Sequence, residues 1–215
     1  MINDLLDWVI GTVQQLDPTL LVVFAGLGVL LETSVLVGLV VPGDTILLVA
    51  SMGVSDWGLW AAVVLSSIVG ALIGESIGYW IGTVLGAPLK RSWVGRKIGA
   101  ENWDRAHEFL QRRGGIAVFI SRFLPVLHSL VPVTAGITGM PFRKFFGWTL
   151  PACVIWSLAY VSAGALATAS YEQLSQQLSW AGYVFIGIIV VFVVLVWLVK
   201  RWLSRRVAEE LDSTD

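Results

Sequence analysis

Arg122 and His128 stand inside a stretch, residues 116–140 (IAVFISRFLPVLHSLVPVTAGITGM), that is otherwise apolar enough to enter a bilayer. Arginine carries a planar, permanently charged fork that matches a phosphate. Histidine can hydrogen-bond the same group and gain charge near neutral pH. At a membrane-helix centre an arginine costs about 2.5–3.5 kcal/mol on the insertion scale. The stretch also holds Pro125 and Pro132, and each proline removes a backbone donor and clashes with the preceding turn. Broken backbone at membrane depth is tolerated only where protein buries it or a water-filled cavity touches it. The stretch therefore reads as a re-entrant hairpin lining a polar cavity, where broken helix ends would add backbone donors for an anion.

Three carboxylates lie in comparably apolar surroundings: Glu32, Asp44 and, within GALIGESIGYWIG, Glu75. Each needs a partner or water there. A carboxylate that pairs with Arg122 in only one state would exchange a proton as the protein moves, which makes these three candidates for proton coupling or gating. Plainer roles stand beside that reading. Glu32 and Glu75 can neutralise Arg122 or cap broken helices, and Asp44, after Pro42 and Gly43, can cap a returning half-helix. His128 can be an inert polar residue. Arg122, about 9 Å along a helix from the start of its stretch, can snorkel to the interface.

The elements that must position these groups are membrane helices. Mean hydropathy is +0.79, and of 215 residues 56% are hydrophobic and 13% charged. The chain reads as one all-α integral membrane domain. The net charge of −1 carries no nucleic-acid signal, because the basic residues cluster at membrane edges. The single cysteine, Cys153, reads as a buried free thiol. Residues 1–17 lack a basic leader and a small-residue cleavage pattern, so no signal peptide is expected.

In chain order, residues 1–17 put Ile2, Leu5, Leu6, Val9, Val13 and Leu16 on one helical face, an interfacial amphipathic helix ended near Pro18. It can serve as a simple anchor or as a lateral gate for lipid. Residues 19–53 break at VPGD, where Pro42-Gly43 marks a turn; they form either a first re-entrant hairpin or a single span followed by an interfacial segment. Residues 57–85 are a transmembrane helix with glycines at 70, 74, 78, 82 and 86, a face that lets another backbone approach. A basic loop (87–115) follows, with a short helix near residues 103–112 and a solvated His107. Hairpin 116–140 comes next, then transmembrane helices 145–168 and 180–199 and a cytoplasmic tail 200–215. Trp8, Trp57, Trp93, Trp180, Trp197 and Trp202 fall near segment ends, as interfacial aromatics do.

Apart from Arg122, every lysine and arginine lies in 90–113, 143–144 or 200–206. Short basic loops stay cytoplasmic, so both ends of 116–140 face the cytoplasm, as does the C-terminus. Counting backwards, 19–53 enters from the opposite face. Two opposed hairpins, each followed by a span, form the pattern of an inverted-repeat transporter.

Glu32 and Asp44 with the PGD that ends at Asp44, the glycine-rich segment 70–82 with Glu75, and GGIAVFISRFLPVLHSLVPVTAGITGM with a later Trp156 together resemble the DedA family, bacterial relatives of the VTT-domain proteins. The resemblance covers about residues 20–156. It implies two opposed re-entrant hairpins and lipid transport across the bacterial cytoplasmic membrane. The cargo would be undecaprenyl phosphate or a phospholipid, moved at the expense of the proton gradient. Carried over residue by residue, the family's acidic pair falls on Glu32 and Asp44, and its first arginine on Arg122. Where a second arginine commonly follows, this chain has His128. The expected partners are a membrane lipid with a phosphate head group and protons, with a homodimer left open and no nucleic acid. No cofactor, metal or catalytic residue is expected. The competing readings are a proton- or ion-coupled transporter of a small soluble solute and an intramembrane lipid-phosphate enzyme.

Overall fold

The computed structural model describes residues 2–34, 43–86, 88–92, 95–96, 99–124, 127–175 and 181–212. Among them the regular structure is entirely helical: α1 (Ile2–Gln14), α2 (Pro18–Thr33), α3 (Gly43–Ser51), α4 (Trp57–Leu85), α5 (Pro88–Arg91), α6 (Ala100–Arg113), α7 (Gly115–Ser121), α8 (Leu127–Ile137), α9 (Phe142–Ser175) and α10 (Ala181–Asp212). Pro42 and Pro125, two of the expected breaks, lie outside the described residues. Among the described residues two helices are long and apolar enough to cross a membrane, Trp57–Leu85 and Phe142–Tyr171. The bent pair Asp7–Gln14 and Pro18–Thr33, which turns through 102°, makes a third if counted as one span.

Local chemistry sets the helix ends. Pro18 opens α2 at its first position, where the missing N–H is no loss, and Asp17 Oδ1 accepts from Thr19 N at 2.7 Å. Asp56 caps α4, accepting from Gly58 N at 2.7 Å and Leu59 N at 3.0 Å. Those backbone hydrogen bonds, Leu59's first, hold its carboxyl below the usual carboxylate range. Gly86 ends α4 at φ 57°, with its N–H on the Gly82 carbonyl, a left-handed conformation that favours glycine. The solvent side of α6 carries two (i, i+4) ion pairs, Glu101–Arg105 and Glu108–Arg112. His107 on the same helix meets Gln111 at 2.9 Å, while Trp103 turns inward and donates to the Gly95 carbonyl.

Pro132 is a correction to the sequence reading: it lies inside α8 rather than at a break. Its missing donor costs one backbone bond. Val131 and Val133 on either side of it are buried, and α8 packs on α4 where Gly82 meets the Val133 backbone.

Contact partners reveal a repeated plan. α2 and α3 pack on each other, with Gly28 against Ile46 and Glu32 against Gly43, so they run in opposite directions. α2 lies parallel to α4: Ser66 Oγ donates to the Val22 carbonyl, Gly70 abuts Gly26, and Gly74 abuts Thr33. α7 lies parallel to α9 in the same way, with Gly115 under the Trp148 indole and Arg122 over the Trp156 ring. The second arm of each pair packs instead on the other unit's long helix, α8 on α4 and α3 on α9. Because α3 opposes α2 and follows α9 (Asp44 by Tyr160, then Leu48 and Ser51 by Gly164), α4 and α9 run in opposite directions.

The glycines that face these neighbours leave no room for a side chain. A Cβ on Gly70 would collide with the Gly26 carbonyl, and one on Gly82 with the Val133 carbonyl. The opposite face of α4 exposes Leu65, Val69, Ile73 and Ile77. Small residues inward and aliphatic ones outward is the arrangement of a helix solvated by lipid. Three apolar clusters result among the described residues: a first around Tyr79, Leu124, Leu130 and Phe145, a second around Val29, Leu47, Trp156 and Tyr160, and a smaller third around Ile10, Met52, Ala167 and Tyr171. Glu75 sits one helical turn from Ala71 of the second cluster and one turn from Tyr79 of the first.

Candidate functional site

Arg122 follows the last turn of α7, and its backbone N–H bonds the Ile120 carbonyl. Its side chain points inward and is 4% exposed, which removes the snorkelling alternative. Nη1 donates to Glu75 Oε1 at 3.1 Å, and Glu75 is equally buried. The guanidinium carbon lies 4.1 Å from the centroid of the Trp156 ring, within cation–π range. Nε and Nη2 find no hydrogen-bond partner among the described residues. Those two nitrogens form one edge of the guanidinium, a donor pair matched to two oxygens of a phosphate or carboxylate.

The other carboxylates gather around the same cation. Asp44, in the first turn of α3, accepts from the Tyr160 hydroxyl at 3.1 Å, and Tyr160 stacks on Trp156 with ring centroids 4.8 Å apart. Glu32, in the last turn of α2, is buried against Gly43. A Cβ on Gly43 would lie 2.5 Å from Glu32 Oε2 and 2.8 Å from the Gly28 carbonyl, so the glycine after Pro42 is needed for close approach. Asp44 and Glu32, with Glu75, act electrostatically on Arg122.

The structure thus brings Arg122, Glu75, Asp44 and Glu32 into one buried site built from α2, α3, α4, α7 and α9. His128 lies in the first turn of α8, half-buried, with Nδ1 3.3 Å from the Leu124 carbonyl oxygen. Sequence reasoning gave Trp156 no role in the site, left Tyr160 unread and treated Cys153 as inert packing. Cys153 Sγ lies 3.9 Å from Glu75 Oε1. The signal was present: Cys153, Trp156 and Tyr160 are spaced for one helical face. Among the described residues, no three His, Cys, Asp or Glu side chains converge as metal ligands would.

The VTT domain family matches residues 41–166, which carry Asp44, Glu75, Arg122, Trp156 and Tyr160. The chain is 27% identical over 163 residues to protein DedA of Escherichia coli strain K12, covering 74% of each. It is 30% identical over 167 residues to the inner membrane protein YabI of the same strain, covering 75% of this chain and 61% of YabI. It is 29% identical over 127 residues to undecaprenyl phosphate transporter A of Bacillus subtilis strain 168, covering 58% of this chain and 64% of that one. No solved structure matches. The VTT match, over more than half of the sequence, shows that the chain is a membrane protein of the DedA family.

Proposed function

We propose that the chain carries a lipid with a phosphate head group between the leaflets of the bacterial cytoplasmic membrane, with undecaprenyl phosphate as the leading substrate and a phospholipid as the alternative. The observation that carries this reading is the Arg122 side chain: buried, held on one side by Glu75, and with Nε and Nη2 lacking a hydrogen-bond partner among the described residues. A desolvated guanidinium edge is what a phosphate needs in exchange for its hydration. The name of the Bacillus subtilis relative, undecaprenyl phosphate transporter A, supports the same substrate class.

In this reading α2–α3 and α7–α8 are re-entrant hairpins entering from opposite faces, and the C-terminus is cytoplasmic. The opposed directions of α4 and α9 support an inverted pair of units. Glu75 holds Arg122 when no lipid is bound. Glu75 takes up a proton as Arg122 exchanges its carboxylate for phosphate, with Asp44 and Glu32 as further coupling or gating carboxylates, which ties each transfer to the proton gradient. His128 adds a second, titratable contact to the head group near the start of α8.

The test is leaflet-to-leaflet movement of labelled undecaprenyl phosphate and phosphatidylethanolamine in proteoliposomes, for wild type and Arg122→Ala, with and without a pH gradient. Movement of one lipid that depends on Arg122 and grows with the gradient is the expected result. If neither lipid moves but a soluble solute is taken up, the solute-transporter reading replaces this one. Release of phosphate from the lipid would instead establish an enzyme.

A further inference from the structure

An apolar slot of about 250 Å³ lies between α9 and α10, beside the end of α7. Phe123, Trp156 and Tyr160 form one wall, and Phe192, Leu195 and Val196 of α10 form the other. Trp156 belongs to both places, since it carries the Arg122 guanidinium and lines the slot. Phe123 follows Arg122 in the chain, and the Tyr160 hydroxyl is turned to Asp44. The slot therefore begins where the cation's surroundings end. At its rim Ala159, Leu195 and Val199 are exposed, and in a membrane that surface faces hydrocarbon.

We infer that this slot holds the head-proximal segment of the hydrocarbon chain of a lipid whose phosphate lies on the Nε/Nη2 edge of Arg122. The inference rests on the proposed role of Arg122 and adds where the chain goes. Continuity decides the occupant: a buried cation and an apolar slot sharing one tryptophan match a molecule that is anionic at one end and apolar just beyond it. Size sets how much is held. Pockets that enclose a drug-sized ligand run to about 300–1,000 Å³, so a slot of about 250 Å³ takes only the first part of a long chain and leaves the rest in the bilayer. The VTT match ends at residue 166, before α10. The matched region supplies the cation, and a helix outside it supplies the wall that reads the chain.

The experiment is photolabelling of the full chain in detergent micelles by an isoprenoid phosphate bearing a diazirine in its second isoprene unit, with peptide mapping of the adducts. The corresponding isoprenoid alcohol is the control. In wild type, adducts concentrate on Phe123 and residues 192–199 with the phosphate and not with the alcohol. Ala159→Trp, at an exposed position on the slot's rim, lowers those adducts roughly tenfold, and Arg122→Ala abolishes them. Adducts that still depend on Arg122 but map elsewhere would overturn the slot and leave the phosphate reading standing. Slot adducts that form equally with the alcohol and survive Arg122→Ala would overturn the phosphate reading and the inference built on it. Adducts spread over exposed faces such as Leu65, Val69 and Ile73, with no concentration on the slot, would overturn the inference. Wild-type labelling alone separates slot from surface, so the test survives a variant that misfolds.

Discussion

Arg122 meets Glu75 through one nitrogen only: Nη1 lies 3.1 Å from Oε1, while Nε and Nη2 face no protein acceptor among the described residues. A cation held in this way is half-satisfied by the protein. It is anchored firmly enough to keep its orientation and retains two donors for a second anion.

Arg122→Lys keeps the charge and removes the planar edge. Charge-assisted hydrogen bonds are worth about 1.5–3 kcal/mol net, so the lysine variant should lose roughly tenfold to a hundredfold in lipid transport. Initial rates in proteoliposomes measure this. An unchanged rate would mean that a point charge is enough and the edge is not used.

Glu75→Gln leaves the guanidinium buried without its ion-pair partner. Breaking a buried pair typically costs about 3–5 kcal/mol, and the lower end is expected because Asp44 and Glu32 still act on Arg122. The double variant Arg122→Leu, Glu75→Leu should recover most of the lost stability and none of the transport. Denaturant unfolding in micelles gives the first quantity and proteoliposome rates the second.

Gly70→Ala and Gly82→Ala each drive a methyl group into a backbone carbonyl, of Gly26 and of Val133. Overpacking of this kind costs about 1–3 kcal/mol. Gly187→Ala, with nothing within 4 Å of its added carbon, should instead be neutral or stabilise α10 by up to about 1 kcal/mol. Melting temperatures of the three variants make the comparison.

Acid sensitivity should include a contribution from the start of α4. The Asp56 carboxyl is held below its ordinary value of 3.8 in the folded chain. Its stabilisation is therefore complete above that value and is lost as pH falls through the lower, folded one. Asp56→Asn keeps a competent cap and should flatten the pH dependence of melting below about pH 4. A wild-type and Asn profile that coincide down to pH 2 would show that the cap contributes nothing.

Much of the site was legible in the sequence because membranes make polar residues conspicuous. Arg122, Glu75, Asp44 and Glu32 stand out in apolar surroundings, and the four-residue glycine spacing of α4 announced a face for close backbone approach. Pairings were not legible. Arg122 and Glu75 are 47 residues apart and Tyr160 and Asp44 are 116 apart, and no local pattern encodes which helices meet. Trp156 reads in sequence as one apolar aromatic among eleven tryptophans; only the fold places its face under a guanidinium. Pro132 misled for a related reason, since a helix packed along a neighbour can absorb one missing donor that an isolated helix would not.

The seams where Gly70 meets Gly26 and Gly82 meets Val133 also bear on motion. Interlocked side chains move in steps, because a knob must leave one hole before it enters the next. Bare backbone against bare backbone leaves fewer side chains to interlock, so in the proposed transport cycle α4 would be a rail for the helix pairs, with the Ser66–Val22 hydrogen bond to break on the α2 side. In the proposed transport cycle the barrier to exchange would then include parting Arg122 from Glu75, an electrostatic latch between two buried side chains.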